Sequence, residues 1–85
     1  MVMDATENIR RALAHEINLK PLERKDLEAR WGKVWDTLEL GADFEVRGFL
    51  TPFVVVRRKS DYKLGSLVLQ HSPRFYFGWE EDKED

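Results

Sequence analysis

Cysteine is absent from this chain of 85 residues. Its absence excludes disulfide bonds, thiolate catalysis and zinc sites built on cysteine. Because secreted domains of this size often depend on disulfides, the lack of cysteine favours a cytoplasmic protein. Histidine is scarce as well. His15-Glu16 begins like a zinc-protease helix, but Leu19 occupies the place of the second histidine. The sequence therefore predicts no metal site and no cofactor.

Long hydrophobic runs are also missing. The longest is Phe53–Val56, whereas a membrane-spanning helix needs about 20 apolar residues. The N-terminal sequence MVMDATENIRR carries charges where a signal peptide needs an apolar segment. We expect no membrane association and a cytoplasmic location.

The residues that are present are typical of a small globular domain. Hydrophobic residues make up 42% of the sequence and charged residues 35%, a balance found in folded rather than disordered chains. A chain of 85 residues has room for one core. We predict a single domain over residues 1–79 and a disordered acidic tail, EEDKED, over residues 80–85.

Charge is distributed unevenly along the chain, although the net charge is only -2. Residues 1–51 carry 8 Lys/Arg against 10 Asp/Glu, and residues 52–79 carry 5 against 1. Residues 80–85 reverse the balance, with 1 against 5. The pattern predicts a basic segment between an acidic N-terminal half and an acidic tail.

The N-terminal half opens with the signals of a helix. Asp4-Ala5-Thr6-Glu7 has the spacing of a capping box. Ile9, Leu13 and Ile17 then recur at every fourth position, as on one side of an amphipathic helix. This stripe is the expected buried face of the first helix.

Two further helices are indicated before the sequence changes character. One is predicted from Pro21 to about Arg30, with Gly32 as its C-terminal stop. Asp36-Thr37-Leu38-Glu39 repeats the capping-box spacing and predicts a short third helix through about Asp43.

From Phe44 onward the apolar residues recur with a period of two, which is typical of β-strands. The connections at 51–52, 60–64 and 72–73 are short enough for an antiparallel meander. The predicted strands are Phe44–Leu50, Phe53–Lys59, Gly65–His71 and Arg74–Trp79.

The register of these strands follows from the pairing that gathers apolar side chains on one face. That pairing sets Val46 opposite Val56, Val56 opposite Leu69, and Leu69 opposite Phe77. The predicted fold is therefore α+β, with two or three N-terminal helices packed on one face of a four-stranded antiparallel β-meander.

The same register leaves the other face of the sheet without a covering layer. On it Glu45 lies opposite Arg57, a favourable cross-strand pair, among aromatic and basic side chains. A face of this composition is typical of interfaces, so we predict a non-catalytic module for protein interaction or self-association, with a homodimer as one form. The structural alternative is that the first helix or the tail folds over this face. The candidate binding residues are Arg47, Phe53, Arg57, Lys59, Arg74 and Tyr76.

Nucleic-acid binding through the same face is the alternative function. Tyr76 would stack on a base while Arg57 and Arg74 contact phosphates. The net negative charge argues against this alternative.

Catalysis is the least expected function. Asp61, Ser66 and His71 supply the residue types of a catalytic triad, but their spacing gives no evidence of one. The carboxylates of the predicted tail cannot hold the fixed geometry that acid–base catalysis requires. We therefore predict that the protein is not an enzyme.

Overall fold

The computed structural model describes the backbone of residues 5–82 and the side chains of residues 8–82. Within this part of the chain there are three helices and five strands. The helices are α1 (Ala5–Leu19), α2 (Arg24–Trp31) and α3 (Thr37–Asp43). The strands are β1 (Val34–Trp35), β2 (Phe44–Leu50), β3 (Phe53–Arg58), β4 (Leu64–Gln70) and β5 (Phe75–Glu81).

The strands form one antiparallel sheet in the order β1-β5-β4-β3-β2. The predicted meander is present as β2 to β5, but the sheet has a fifth strand, β1, which pairs with β5 through Val34 and Phe77. Two residues are too few to show an alternating pattern, so sequence reasoning missed β1. The strand β5 also runs two residues past the predicted end of the domain at residue 79.

Helices cover both faces of the sheet, which corrects the prediction that one face is bare. On the first face, Ala14 and Ile17 of α1 and Leu27 of α2 pack against Phe53 and Phe77. We call this the α1–α2 face.

On the second face, which we call the α3 face, Leu40 of α3 belongs to one buried cluster with Val54, Val56 and Leu69. The residues predicted to form the inner face in β2 to β4 do share a face, but it is covered by α3 rather than by the first two helices. The sheet therefore lies between two helical layers.

The predicted pairing of β5 was wrong by one residue. Leu69 lies opposite Tyr76, not Phe77, and the register shifts again between Ser66 and Val68. Because side chains alternate between faces, this slip moves Phe77 to the α1–α2 face and Tyr76 to the α3 face. Gly78 has a positive φ of 68°, a conformation that glycine adopts without steric cost, and it lies at this irregularity.

The other predicted pairings have mixed outcomes. Val46 lies opposite Val56, and Glu45 lies opposite Arg57, as expected. Val56, however, is opposite Gly65 rather than Leu69. The predicted and observed partners of Val56 are an even number of positions apart, so the side chains of β3 and β4 lie on the same faces as predicted.

The helix boundaries show where local signals sufficed. The Asp36 side chain accepts from the Glu39 amide at 2.8 Å and the Glu39 side chain accepts from the Asp36 amide at 2.9 Å, which confirms the capping box of α3. Gly32 ends α2 as predicted, but that helix begins at Arg24 rather than at Pro21. The capping box predicted at Asp4 lies outside the described residues.

Among residues 5–82, none of the helices combines the length and the apolar character of a bilayer-spanning segment.

Candidate functional site

The six residues predicted to bind do not form one surface. Phe53 is 5% exposed and lies beneath α1, with the guanidinium groups of Arg10 and Arg11 4.8 and 5.1 Å from its ring centre. Tyr76 is 3% exposed and packs on the opposite face, with Trp35 beside it. Both aromatic residues of the predicted site therefore belong to the core, and the interpretation of them as exposed was wrong.

The basic residues of the predicted site lie apart from one another, and each contacts a neighbouring residue of the chain. Arg57 forms an ion pair of 2.7 Å with Glu45 on the α1–α2 side of β3, whereas Arg74 donates to the Tyr76 hydroxyl at 3.2 Å. Lys59 donates to the backbone oxygen of Gly41 at 2.7 Å. Arg47 is exposed on the edge strand β2, 3.5 Å from Glu45. Arg57 and Tyr76 therefore lie on opposite faces, and no single ligand surface unites them.

An open, largely apolar groove lies between α1 and α2. Its volume is about 790 Å³. Apolar side chains form most of its lining, and charged residues stand at its rim. The lining residues are Leu13, Glu16, Ile17, Leu19, Lys20, Leu22, Arg30 and Trp31. A half-open apolar cavity of this size falls within the usual range of binding sites.

The rotation of α1 about its axis opens this groove. The helix turns Arg10 toward the sheet, where its guanidinium donates to Gly78 O at 2.8 Å and Ser66 Oγ at 3.2 Å and pairs with Glu80 at 2.9 Å. Because Arg10 takes a place on the buried side, the apolar stripe turns away from the sheet. Leu13 is left 38% exposed, at the groove.

The predicted buried stripe of α1 is therefore only partly buried. Ile17 is buried as expected, and Ala14 has the central position against the sheet. Ile9, in contrast, is 59% exposed. The sequence pattern identified an apolar side of α1 correctly but assigned all of it to the core, whereas Ile9 and Leu13 remain exposed to solvent.

Trp31 lines the groove and anchors it to the sheet. Its ring lies 5.2 Å from the ring of Phe77, centre to centre, and against Gly78. The indole N–H is buried and has no hydrogen-bond acceptor among the described residues. A buried donor without an acceptor costs about 1–3 kcal/mol, so a ligand or water that supplied an acceptor would be favoured here.

Two amides fix the segment that connects α1 to α2, and so set the shape of the groove. Asn18 donates to Leu69 O at 2.9 Å and accepts from the His71 amide at 2.8 Å. Gln70, which is fully buried, accepts from the Leu22 amide at 3.0 Å and donates to Leu22 O at 2.9 Å. Asn18 is on α1 and Gln70 is on β4. Their hydrogen bonds together hold the connecting segment against the end of the sheet.

The polar interactions outside the groove are structural ion pairs and hydrogen bonds. Hydrogen bonding to Glu39 raises the pKa of Arg24, at the junction of α2 with α3. A bidentate contact with Arg58, at 3.0 and 2.8 Å, lowers the pKa of the Asp61 carboxyl. No group of three or more His, Asp or Glu side chains suitable for a metal ion occurs in the described part of the chain.

Comparisons of the chain with protein-family models, curated proteins and solved structures give no match. The candidate site therefore rests on the geometry of the groove alone.

Proposed function

We propose that the protein is a binding module that receives an amphipathic helix of a partner protein in the groove between α1 and α2. The observation that carries the proposal is the apolar side of α1, which the described residues leave partly uncovered beside the groove. Leu13 lies within this surface, and Ile9 continues the same side of α1 by one turn.

The shape of the surface supports a helix as its occupant. From Ile9 to Leu19 the helix α1 extends about 15 Å, which corresponds to roughly three turns of a helix laid alongside it. The cavity is also half-open to solvent, so a ligand can enter it without a change of the fold. Helices that bind in such grooves place apolar residues at positions i, i+3 or i+4, and i+7.

The rim supports an amphipathic rather than a uniformly apolar partner. Glu16 and Lys20 stand on the α1 side, and Arg30 stands on α2. Charges of both signs at the rim can pair with the flanking polar residues of a bound helix, while the apolar lining excludes water from the centre.

The alternative of nucleic-acid binding receives no support from the described residues. Phe53 and Tyr76 are buried, so neither ring is available to stack on a base. Arg57 and Arg74 lie on different faces and each contacts a neighbouring side chain.

A library of amphipathic helical peptides tests the proposal. Peptides would be selected against the wild-type protein, with a Leu13→Glu variant as the counter-selection bait. Because Leu13 is partly exposed, the variant should fold, but a bound helix would bury its carboxylate without a partner. We expect selected peptides to bind Leu13→Glu at least about tenfold more weakly, measured by fluorescence anisotropy.

Leu38→Glu is the matched control. Leu38 is 86% exposed on α3, on the other side of the sheet, so the same substitution there should leave peptide affinity unchanged. If no peptide is enriched over the counter-selection bait, or if both variants bind equally well, the groove is not a docking site for a helix.

A further inference from the structure

A second surface, separate from the groove, is the outer edge of β2. Within residues 5–82 the sheet order is β1-β5-β4-β3-β2, so this strand has a neighbour on one side only. It is 7 residues long, and Val46, Phe49 and Leu50 are 41%, 57% and 63% exposed. We propose that the edge pairs with β2 of a second copy of the chain, antiparallel, about a two-fold axis at Val46.

The hydrogen bonds of the neighbouring residues indicate which backbone groups of β2 face outward. The Lys59 amide donates to Asp43 O at 2.9 Å, so the backbone of Asp43 faces β3. Arg58, opposite Phe44, uses its amide and carbonyl with Lys63 and Tyr62 instead. Since backbone groups alternate along a strand, the N–H and C=O of Val46 point to the open edge. The Phe44 N–H is already bonded to Leu40 O at the end of α3.

Because the N–H and C=O of Val46 point outward, two copies of β2 can pair symmetrically at this residue. When Val46 of one copy lies opposite Val46 of the other, each N–H meets the other copy's C=O. A two-fold arrangement of this kind is isologous, so the same strand supplies both sides of the contact.

The side chains of β2 are self-complementary in this register. With Val46 opposite itself, Glu45 of each copy lies opposite Arg47 of the other, which gives two ion pairs across the axis. Both residues are exposed, and Arg47 is already directed toward Glu45, 3.5 Å away in its own chain. Val46 and Phe49 lie on the α3 face beside Val56 and Val54, where the second copy would cover Val46.

The same charges argue for a second copy rather than for an unrelated strand. Charged residues and β-bulges on an edge usually prevent pairing, and the register of β2 shifts between Val46 and Gly48. An apolar partner strand would add no opposite charge to the Arg57–Glu45 and Arg47–Glu45 pairs that one chain already forms. The sequence of β2 itself provides opposite charges in the order that antiparallel pairing requires.

Substitution of Val46 by proline tests the backbone contact. Val46→Pro removes only an N–H that points to the open edge, and proline is tolerated at such positions. We expect wild-type protein to show a concentration-dependent dimer by sedimentation analysis. Val46→Pro should weaken that dimer about tenfold to a hundredfold while its thermal unfolding remains close to that of the wild type.

Arg47→Glu tests the charge complementarity. It places two carboxylates opposite each other at both ends of the pair, so the dimer should weaken as well. Lys25→Glu, an equal charge change on exposed α2, is the control and should leave the dimer intact.

Cross-linking keeps the proposal testable if proline disturbs the fold. Because the chain has no cysteine, Val46→Cys introduces a single thiol. Opposed residues of a hydrogen-bonded antiparallel pair have Cα atoms about 5.5 Å apart, within the range of a disulfide. Val46→Cys should form a covalent dimer with oxidised glutathione much faster than the exposed control Ser72→Cys.

A wild-type protein that stays monomeric at every concentration overturns the proposal, as does a dimer that neither Val46→Pro nor Arg47→Glu weakens. Equal cross-linking of Val46→Cys and Ser72→Cys also overturns it. None of these outcomes affects the groove, which is lined by residues of α1, α2 and their connection.

Discussion

Replacement of Gln70 by leucine should be among the most destabilising single changes in this protein. Its side chain is fully buried, and its amide nitrogen donates to Leu22 O and Pro73 O, both at 2.9 Å. Its oxygen accepts from the Leu22 amide at 3.0 Å. Leucine fills a similar volume but satisfies none of these groups.

The size of the stability loss in Gln70→Leu depends on the backbone groups that lose their hydrogen-bond partner. Pro73 is exposed, so its carbonyl can bind water instead. Leu22 itself is half-buried, and each buried N–H or C=O group without a partner costs about 1–3 kcal/mol. We expect a loss of about 2–4 kcal/mol in the free energy of unfolding, a large share of the roughly 5–15 kcal/mol of a typical domain.

Urea denaturation followed by circular dichroism measures this loss. The transition midpoint should fall while the slope with denaturant stays the same, since the folded and unfolded states remain equally compact. His71→Leu, at the adjacent exposed position, is the control and should change stability little. A loss below about 1 kcal/mol for Gln70→Leu would refute the assignment of Gln70 as the clamp of the connecting segment.

Three further changes test other parts of the structure. Gly65→Ala would place a Cβ too close to the ring of Trp79 and to Glu80 O, so we expect a loss of about 1–3 kcal/mol in the free energy of unfolding, measured by urea denaturation. Asp36→Ala removes the capping box of α3 and should cost about 1 kcal/mol in the same assay. The hydrogen bond from the Trp35 indole holds the pKa of Asp43 below its ordinary value of 3.8. The ionised Asp43 carboxylate therefore stabilises the fold above pH 3.8, and this stabilisation is lost as the pH falls through the lower folded-state pKa. Asp43→Asn should therefore flatten the decline of the melting temperature in acid.

Gly65→Ala and Asp43→Asn each have a matched comparison. Gly41→Ala, where an added Cβ meets nothing within 4 Å, should stabilise α3 rather than destabilise the fold. Asp26→Asn, at an exposed position in the first turn of α2, should leave the steepness of the acid decline near that of the wild type. Equal effects of Gly65→Ala and Gly41→Ala would contradict the close contact of Gly65 with Trp79.

The parts of this fold that the sequence predicts well depend on neighbours in the chain. The capping box of α3 joins residues three positions apart, and β2 has the predicted bounds Phe44–Leu50 because a change of period and a turn containing Pro52 delimit it. Gly32 likewise marks the end of α2 through its own conformation, with φ of 83°. These signals need no knowledge of the tertiary structure.

The parts that could not be predicted depend on distant partners. Arg10 faces the sheet because Gly78 and Glu80 satisfy its guanidinium, and nothing near Arg10 in the sequence reveals those partners. The register of β5 depends on the long turn after Gln70 and the irregularity at Gly78, so the alternation that identified the strand could not say which face each residue takes. Both errors matter for function, since the first hid the groove and the second placed Tyr76 on the predicted basic and aromatic surface.

The indole N–H resonances of the three tryptophans offer the most direct test of the groove as a docking site. Trp31 lines the groove, whereas the indole of Trp35 is bonded to Asp43 at 2.8 Å on the other face of the sheet. In a heteronuclear NMR titration with a selected helical peptide, the Trp31 indole signal should shift and the Trp35 signal should stay in place. A peptide that binds while the Trp31 signal remains unmoved would contradict the proposed function.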